Sequence, residues 1–240
     1  MRILLTNDDG ANASQLIPLI RWCEKLGEVT AVVPKFEQSG KSHCIELHQP
    51  FEVLHVELAP GVWAYTVDSA PADCVRYAVL GLGMQFDLVI SGVNRGLNLG
   101  TDIMYSGTVG ACFEAANLGL PSIALSTTPS NYDHATDELD KVFAFIQDNK
   151  LMELHDTYNV NVPAQPKGIR ITRQGGPFYS DEFIPEGNNL FRPKGIKIYK
   201  SQNDMTIDAD AVTAGYISIM PLTTNRADMN VYSKIKDLQA

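Results

Sequence analysis

The opening of the chain constrains its fold most strongly. Ile3-Leu4-Leu5 is a short apolar run that turns polar at Asn7-Asp8-Asp9-Gly10. Leu16, Ile17, Leu19, Ile20, Cys23 and Leu26 then recur at helical spacing up to Gly27, with Pro18 in the first turn, where its missing N–H costs nothing. Val29 to Val33 is a second apolar run. Strand, helix and strand in this order imply parallel pairing through a right-handed crossover. The pattern continues with a helix from about Ala72 to Leu82, a strand Leu88 to Ser91, a helix from about Thr108 to Leu118, a strand Ser122 to Ser126 and an amphipathic helix Asp133 to Asn149. A doubly wound α/β fold is predicted. Past residue 150 the texture changes to short β-like runs, Asn159 to Val162, Ile169 to Thr172, Ile196 to Tyr199 and Tyr216 to Met220, set among Gly, Pro, Asn and Asp. Asp228 to Leu238 reads as a terminal helix. We expect one domain over 1–240, an α/β core over about 1–150 with a β-rich extension over about 151–240.

In an open parallel sheet the ligand site lies beyond the carboxyl ends of the strands. Three polar loops fall there: Thr6 to Gly10, Pro34 to Ser42 with Ser39-Gly40, and Gly92 to Gly100. Asp8 and Asp9 repel each other, and a cation or hydrogen-bond donors must offset their charge. Two carboxylates, the Ser39 hydroxyl and the Asn94 amide oxygen form an oxygen set suited to Mg²⁺ or Mn²⁺. Asn-Asp-Asp-Gly is equally a turn sequence, and on this motif alone the two readings stand level. Ser106-Gly107-Thr108 opens a helix whose N–H groups and hydroxyls could bind a phosphate; N-capping is the competing explanation.

Together these segments resemble the SurE nucleotidases, the stationary-phase survival proteins. The resemblance is carried by Ile3 to Gly10, Ser39-Gly40, Pro71-Ala72-Asp73-Cys74-Val75, Ser91 to Asp102 and Tyr105 to Val109, with echoes at Asn159 to Pro163 and Gly215 to Leu222. It implies a Rossmann-like, mostly parallel sheet whose C-terminal hairpin and helix serve oligomerisation as a homodimer or homotetramer. It also implies a 5'-nucleotidase that hydrolyses nucleoside 5'-monophosphates, and on some substrates 3'-monophosphates, with a metal-activated water. Asp8, Asp9, Ser39 and Asn94 are the implied ligands of one divalent cation per subunit. Asp8 and Asp9 are the catalytic pair, with Asp9 favoured for the proton. Gly40, Asn98, Ser106, Gly107 and Thr108 are the expected phosphate and substrate contacts. The chain departs from the family at Ala13-Ser14-Gln15, at Ser69-Ala70-Pro71, and at Lys41, Cys44 and Glu46, none of which is a ligand position.

Other classes fit less well. A formal net charge of -9 over 240 residues disfavours a long nucleic acid as partner. No apolar run reaches the ~18 residues of a membrane span, and no signal-like segment opens the chain, so a cytoplasmic protein is expected. Cys23, Cys44, Cys74 and Cys112 are too widely spaced for a zinc site and read as reduced thiols. A phosphoryl-accepting signalling module would need an acceptor Asp after the strand ending at Ser91, where this chain has Gly92 and Asn94. A dinucleotide-binding oxidoreductase would need Gly-x-Gly-x-x-Gly in place of Asn-Asp-Asp-Gly. A non-catalytic binding protein on the same fold remains the other alternative. The five histidines show no metal-ligand spacing and read as structural; Lys41 reads as a solvated loop charge, and Tyr105 as a base contact or wall residue.

Overall fold

The structure, a computed structural model, describes residues 1–238. In chain order, β1 (Arg2–Thr6), α1 (Leu16–Cys23) and β2 (Glu28–Pro34) form the expected crossover unit, followed by the hairpin β3 (Val53–Ala59) and β4 (Val62–Val67). Next come α2 (Pro71–Arg76), β5 (Leu88–Arg95), α3 (Gly107–Asn117), β6 (Ser122–Thr127), α4 (Leu139–Asp148), α5 (Leu151–Leu154) and β7 (Thr157–Val162). The remainder comprises β8 (Ile169–Ile171), β9 (Tyr179–Gly187), β10 (Leu190–Lys197), α6 (Asp208–Thr213), β11 (Ile217–Pro221) and α7 (Met229–Ile235).

Nine strands form one sheet in the order β3-β4-β2-β1-β5-β6-β7-β11-β8. The pairs β1 with β2, β1 with β5, β2 with β4, β5 with β6, β6 with β7 and β11 with β8 are parallel; β3 with β4 and β11 with β7 are antiparallel. Because both faces are covered, Ile3, Leu4 and Leu5 are all fully buried. Ile3 and Leu5 join Leu16, Leu19, Ile20, Ile90, Leu125 and Leu139 on the α1 and α4 side. Leu4 joins Val32, Val75, Val89, Ala111 and Ala115 on the α2 and α3 side.

The chain runs from β1 to β2 in one direction across the sheet and from β5 to β6 in the other. The point where the winding reverses therefore lies between β1 and β5, and this is where a doubly wound sheet opens a crevice at its carboxyl edge. Thr6 pairs with Ser91 at that edge, so the loop after β1 and the end of β5 emerge side by side.

The hairpin β3–β4 and the short helices α5 and α6 lie outside the sequence expectation, and four further elements differ from it. The helix expected over Ala72 to Leu82 is α2 followed by one wider turn over Tyr77–Gly81, closed by Leu82 N–H donating to the Tyr77 carbonyl. The helix expected from Asp133 begins only at Leu139. Pro129–His134 forms a 3-10 turn, because Tyr132 is drawn into the carboxyl edge of the sheet. The run Ile196 to Tyr199 belongs to β10, which ends at Lys197. Its partner β9 was not anticipated: β9 and β10 project as a separate two-stranded ribbon whose turn residues Asn188 and Asn189 both have positive φ.

Candidate active site at the β1–β5 crevice

The turn after β1 is built by its own side chains. Asn7 Nδ2 donates to the Gly10 carbonyl and Asn7 Oδ1 accepts from Gly10 N–H, both at 3.1 Å. Gly10 has φ +85° and lies so close to the loop after β2 that a Cβ would sit 2.8 Å from the Phe36 carbonyl carbon. Gln38 N–H donates to the Asp8 carbonyl at 2.7 Å, which brings the Ser39-bearing loop against the acidic turn. The turn chemistry of this motif is therefore real, and it serves to aim Asp8 and Asp9 into the crevice.

Asp8 is buried against the start of α3. Its Oδ1 accepts from Thr108 Oγ1 at 2.5 Å and its Oδ2 from Thr108 N–H at 3.2 Å. The approach requires glycine at 107, where a Cβ would lie 3.0 Å from Asp8 Cβ. Burial pushes the Asp8 carboxyl up to about 6, with the Asp9 charge adding to the rise and Thr108 opposing it. Asp9 is half-buried, and its Oδ2 accepts from Arg95 N–H and from the Tyr132 hydroxyl, each at 3.0 Å. Burial raises its carboxyl as well, against these two donors.

Asn94 stands near the end of β5, past an irregularity in the β5–β6 ladder. Its Nδ2 donates to the Gly96 carbonyl at 2.8 Å, which turns Oδ1 the other way as an oxygen donor. The Ser39 hydroxyl donates to Glu37 at 2.7 Å and keeps its lone pairs for an acceptor role. Among the described residues no cluster of three or more His, Cys, Asp or Glu side chains is suited to a metal, so a cation here depends on the amide and hydroxyl oxygens beside the two carboxylates. That donor set fits a hard divalent ion: all four groups are oxygens, and the two carboxylates are raised by burial, with the Arg95 charge easing only Asp9, and weakly.

The expected phosphate contacts have varied surroundings. Ser106 caps α3, its Oγ accepting from Val109 N–H at 3.1 Å. Thr108 directs both of its donors at Asp8, so in this conformation the N-terminus of α3 holds a carboxylate of the chain itself. Gly40 is open, with no atom within 4 Å of where a Cβ would stand. Asn98 is held by a network that the sequence did not reveal. Its N–H donates to Asn161 Oδ1 at 2.8 Å, its carbonyl accepts from Asn159 and Asn161 Nδ2 at 2.9 Å, and its own Nδ2 reaches Ser126 at 2.8 Å. Asn159 and Asn161 thus gain a purpose beyond their β7 position: they brace the loop after β5.

A cavity of about 620 Å³ adjoins the pair, lined by Asp9, Ser39, Lys35, Phe36, Arg95 and Tyr132 among others. Sequence reasoning named neither Arg95 nor Tyr132 as site residues, and the position of Arg95 directly after Asn94 at a strand end was the available signal for the first. Lys41 and Tyr105 are exposed. His43 lies outside the crevice and contacts Glu114.

The chain as a whole is similar to known proteins. The family model described as "Survival protein SurE" matches residues 3–181. The chain is similar to "5'-nucleotidase SurE" of Alkaliphilus metalliredigens, at 38% identity with 99% of this chain and 98% of that protein covered. It is similar also to "5'-nucleotidase SurE" of Natranaerobius thermophilus, at 36% identity with 99% and 98% covered. The crystal structure of SurE protein from Aquifex aeolicus superposes with a TM-score of 0.76 at 30% identity over 98% of both chains. The fold is that of an α/β protein with a crevice at the sheet's switch point, and the chain belongs to the SurE family.

Proposed function

We propose that this chain is a metal-dependent 5'-nucleotidase that releases phosphate from nucleoside 5'-monophosphates. The observation that carries the reading is the pair of buried Asp8 and half-buried Asp9, incompletely offset by the chain's own groups, beside the oxygens of Ser39 and Asn94 at the mouth of a cavity. Asp8, Asp9, Ser39 and Asn94 would hold one cation, Mg²⁺ or Mn²⁺. When bound, such an ion supplies Lewis acidity and a water of lowered pKa. The rest is done by the chain. Asp9, which lines the cavity, is the carboxylate placed to take the proton of the attacking water. Gly40, Asn98, Ser106, Gly107 and Thr108 bind phosphate oxygens, and Thr108 does so in exchange for its present bonds to Asp8. The cavity falls in the range of about 300–1,000 Å³ typical of small-molecule sites and takes the nucleoside.

The test is phosphate release from a panel of nucleoside monophosphates with Mg²⁺, Mn²⁺ or chelator. Release that depends on the ion supports the reading; release insensitive to chelator, or none from any nucleotide, overturns it.

We further propose that the chain works as a homodimer or homotetramer. Every residue of β9 is exposed, Phe183 among them, as are Leu190 and Phe191 of β10, and no residue of α7 is buried. Exposed apolar surface of this kind is ordinarily covered by a partner. Sedimentation at micromolar concentration should show an oligomer, and a monomer alone would contradict it. A cytoplasmic setting agrees with four free thiols, of which Cys23, Cys74 and Cys112 are buried and pushed above the usual thiol range by that burial. Among the described residues no helix is long and apolar enough to cross a membrane.

A further inference from the structure

Asp9 is separated from Tyr132 by 123 residues, yet the two share a hydrogen bond that the proposed chemistry leaves without a role. Tyr132 ends up at the carboxyl edge because β6 lies next to β5 and the 3-10 turn Pro129–His134 follows it directly. Its side chain is 7% exposed, and a phenol so placed needs a partner for its hydroxyl. That partner is Asp9 Oδ2, at 3.0 Å, the same oxygen that accepts the Arg95 N–H at 3.0 Å. Two donors converge on one carboxylate oxygen, one from the end of β5 and one from the 3-10 turn after β6. This fixes the rotation of the carboxylate and leaves Oδ1 as the oxygen not taken by either donor. The Arg95 guanidinium lies over the Tyr132 ring, 5.9 Å from its centroid, and packs against it.

We propose that Tyr132 is a positioning residue of the cation site: with the Arg95 N–H it captures one oxygen of Asp9 so that the other is presented to the cation. The inference rests on the reading of Asp9 as a cation ligand. It adds a residue that is no cation ligand itself and acts on the cation through Asp9. Groups that orient a metal ligand in this way typically contribute about 10–100-fold to affinity or activity.

The test is calorimetric titration of Mn²⁺ into the metal-free full chain, wild type against Tyr132→Phe, with thermal unfolding of both metal-free proteins. Tyr132→Phe removes one oxygen and keeps the ring. The expected result is a Mn²⁺ dissociation constant raised about tenfold or more, while the midpoint of metal-free unfolding stays within a few degrees of wild type. A purely structural role gives the opposite pattern, a lowered midpoint with the dissociation constant within twofold of wild type, and overturns the proposal. Wild type that binds no Mn²⁺ overturns the cation reading and this inference with it. Equal binding by both proteins removes Tyr132 alone and leaves the cation reading standing.

Discussion

Two buried carboxylates lie at α3, Asp8 against its first turn and Glu114 within it, and they have opposite fates. Both are nearly inaccessible, at 3% and 5% exposure. Glu114 is gripped by cationic and donor groups of the chain: His43 Nε2 is 2.7 Å from one oxygen and Arg76 Nη1 3.2 Å from the other. The His43 hydrogen bond, with Arg76 behind it, holds its carboxyl below the usual range despite burial. Asp8 has Thr108 as its donor and Asp9 as a like charge, and its carboxyl rises to about 6. The difference separates a structural carboxylate from the one proposed above as a cation ligand. Where the chain supplies the compensating charge, the group is part of the scaffold and ties the loop after β2 to α2 and α3. Where compensation is left incomplete beside further oxygens, the position is shaped for a cation from outside.

The contrast can be broken most forcefully at the acidic pair. Asp9→Asn should lower metal-dependent phosphate release by about a thousandfold or more, a loss on the scale of a removed catalytic group, while circular dichroism and the unfolding midpoint stay near wild type. Activity within tenfold of wild type would remove Asp9 from the mechanism.

A second experiment sets the two sites directly against each other. Mn²⁺ at a hundred times its dissociation constant should stabilise the wild type by about 2.7 kcal/mol. Glu114→Gln should keep that increment and Asp9→Asn should lose most of it, read as shifts in thermal unfolding. Equal shifts in both variants would mean that the metal binds elsewhere.

The smallest effect is expected at Glu114. Removing its charge leaves His43 and Arg76 without their anionic partner and with one acceptor oxygen in place of two, and stability at pH 7 should fall by about 1.5–3 kcal/mol, the range for hydrogen bonds to charged groups. The pH dependence has a defined sign. Because the folded carboxyl lies below its unfolded value, the unfolded chain binds the proton first as pH falls, so stability present above the ordinary Glu value of 4.5 drains away below it. The gap between wild type and Glu114→Gln in denaturant unfolding should therefore be full at pH 7 and close as pH drops through that region. A gap that widens towards acid would contradict the pairing.

Much of this was legible in the chain, for identifiable reasons. The β1–α1–β2 opening announces itself because Ile3, Leu4 and Leu5 are apolar on both faces, and a strand so buried belongs to the middle of a doubly wound sheet. Once β1 and β5 are adjacent, the loops bearing Asp8, Asp9 and Asn94 must meet, so the crevice follows from strand placement. Tyr132 was not legible. The apolar spacing of Tyr132, Ala135, Leu139, Val142 and Ile146 imitates one continuous helix, and only the bond to Asp9 explains why the first turns fold differently. The bracing of Asn98 by Asn159 and Asn161 was hidden for a similar reason, since the partners lie 61 and 63 residues apart. The resemblance implied a C-terminal hairpin and Ile196 to Tyr199 marked part of β10, but β9 was not located, because every one of its residues is exposed. With no buried face, its sequence carries no alternation of apolar and polar residues to read.

The central claim, that the Asp8–Asp9 crevice is shaped for a divalent cation, is tested most directly by anomalous diffraction from crystals of the chain soaked in Mn²⁺. The account predicts one strong peak per chain within bonding distance of Asp8, Asp9, Ser39 and Asn94 oxygens, at about 2.0–2.6 Å. A peak that avoids the two aspartates, or none at Mn²⁺ concentrations that support phosphate release, would contradict it.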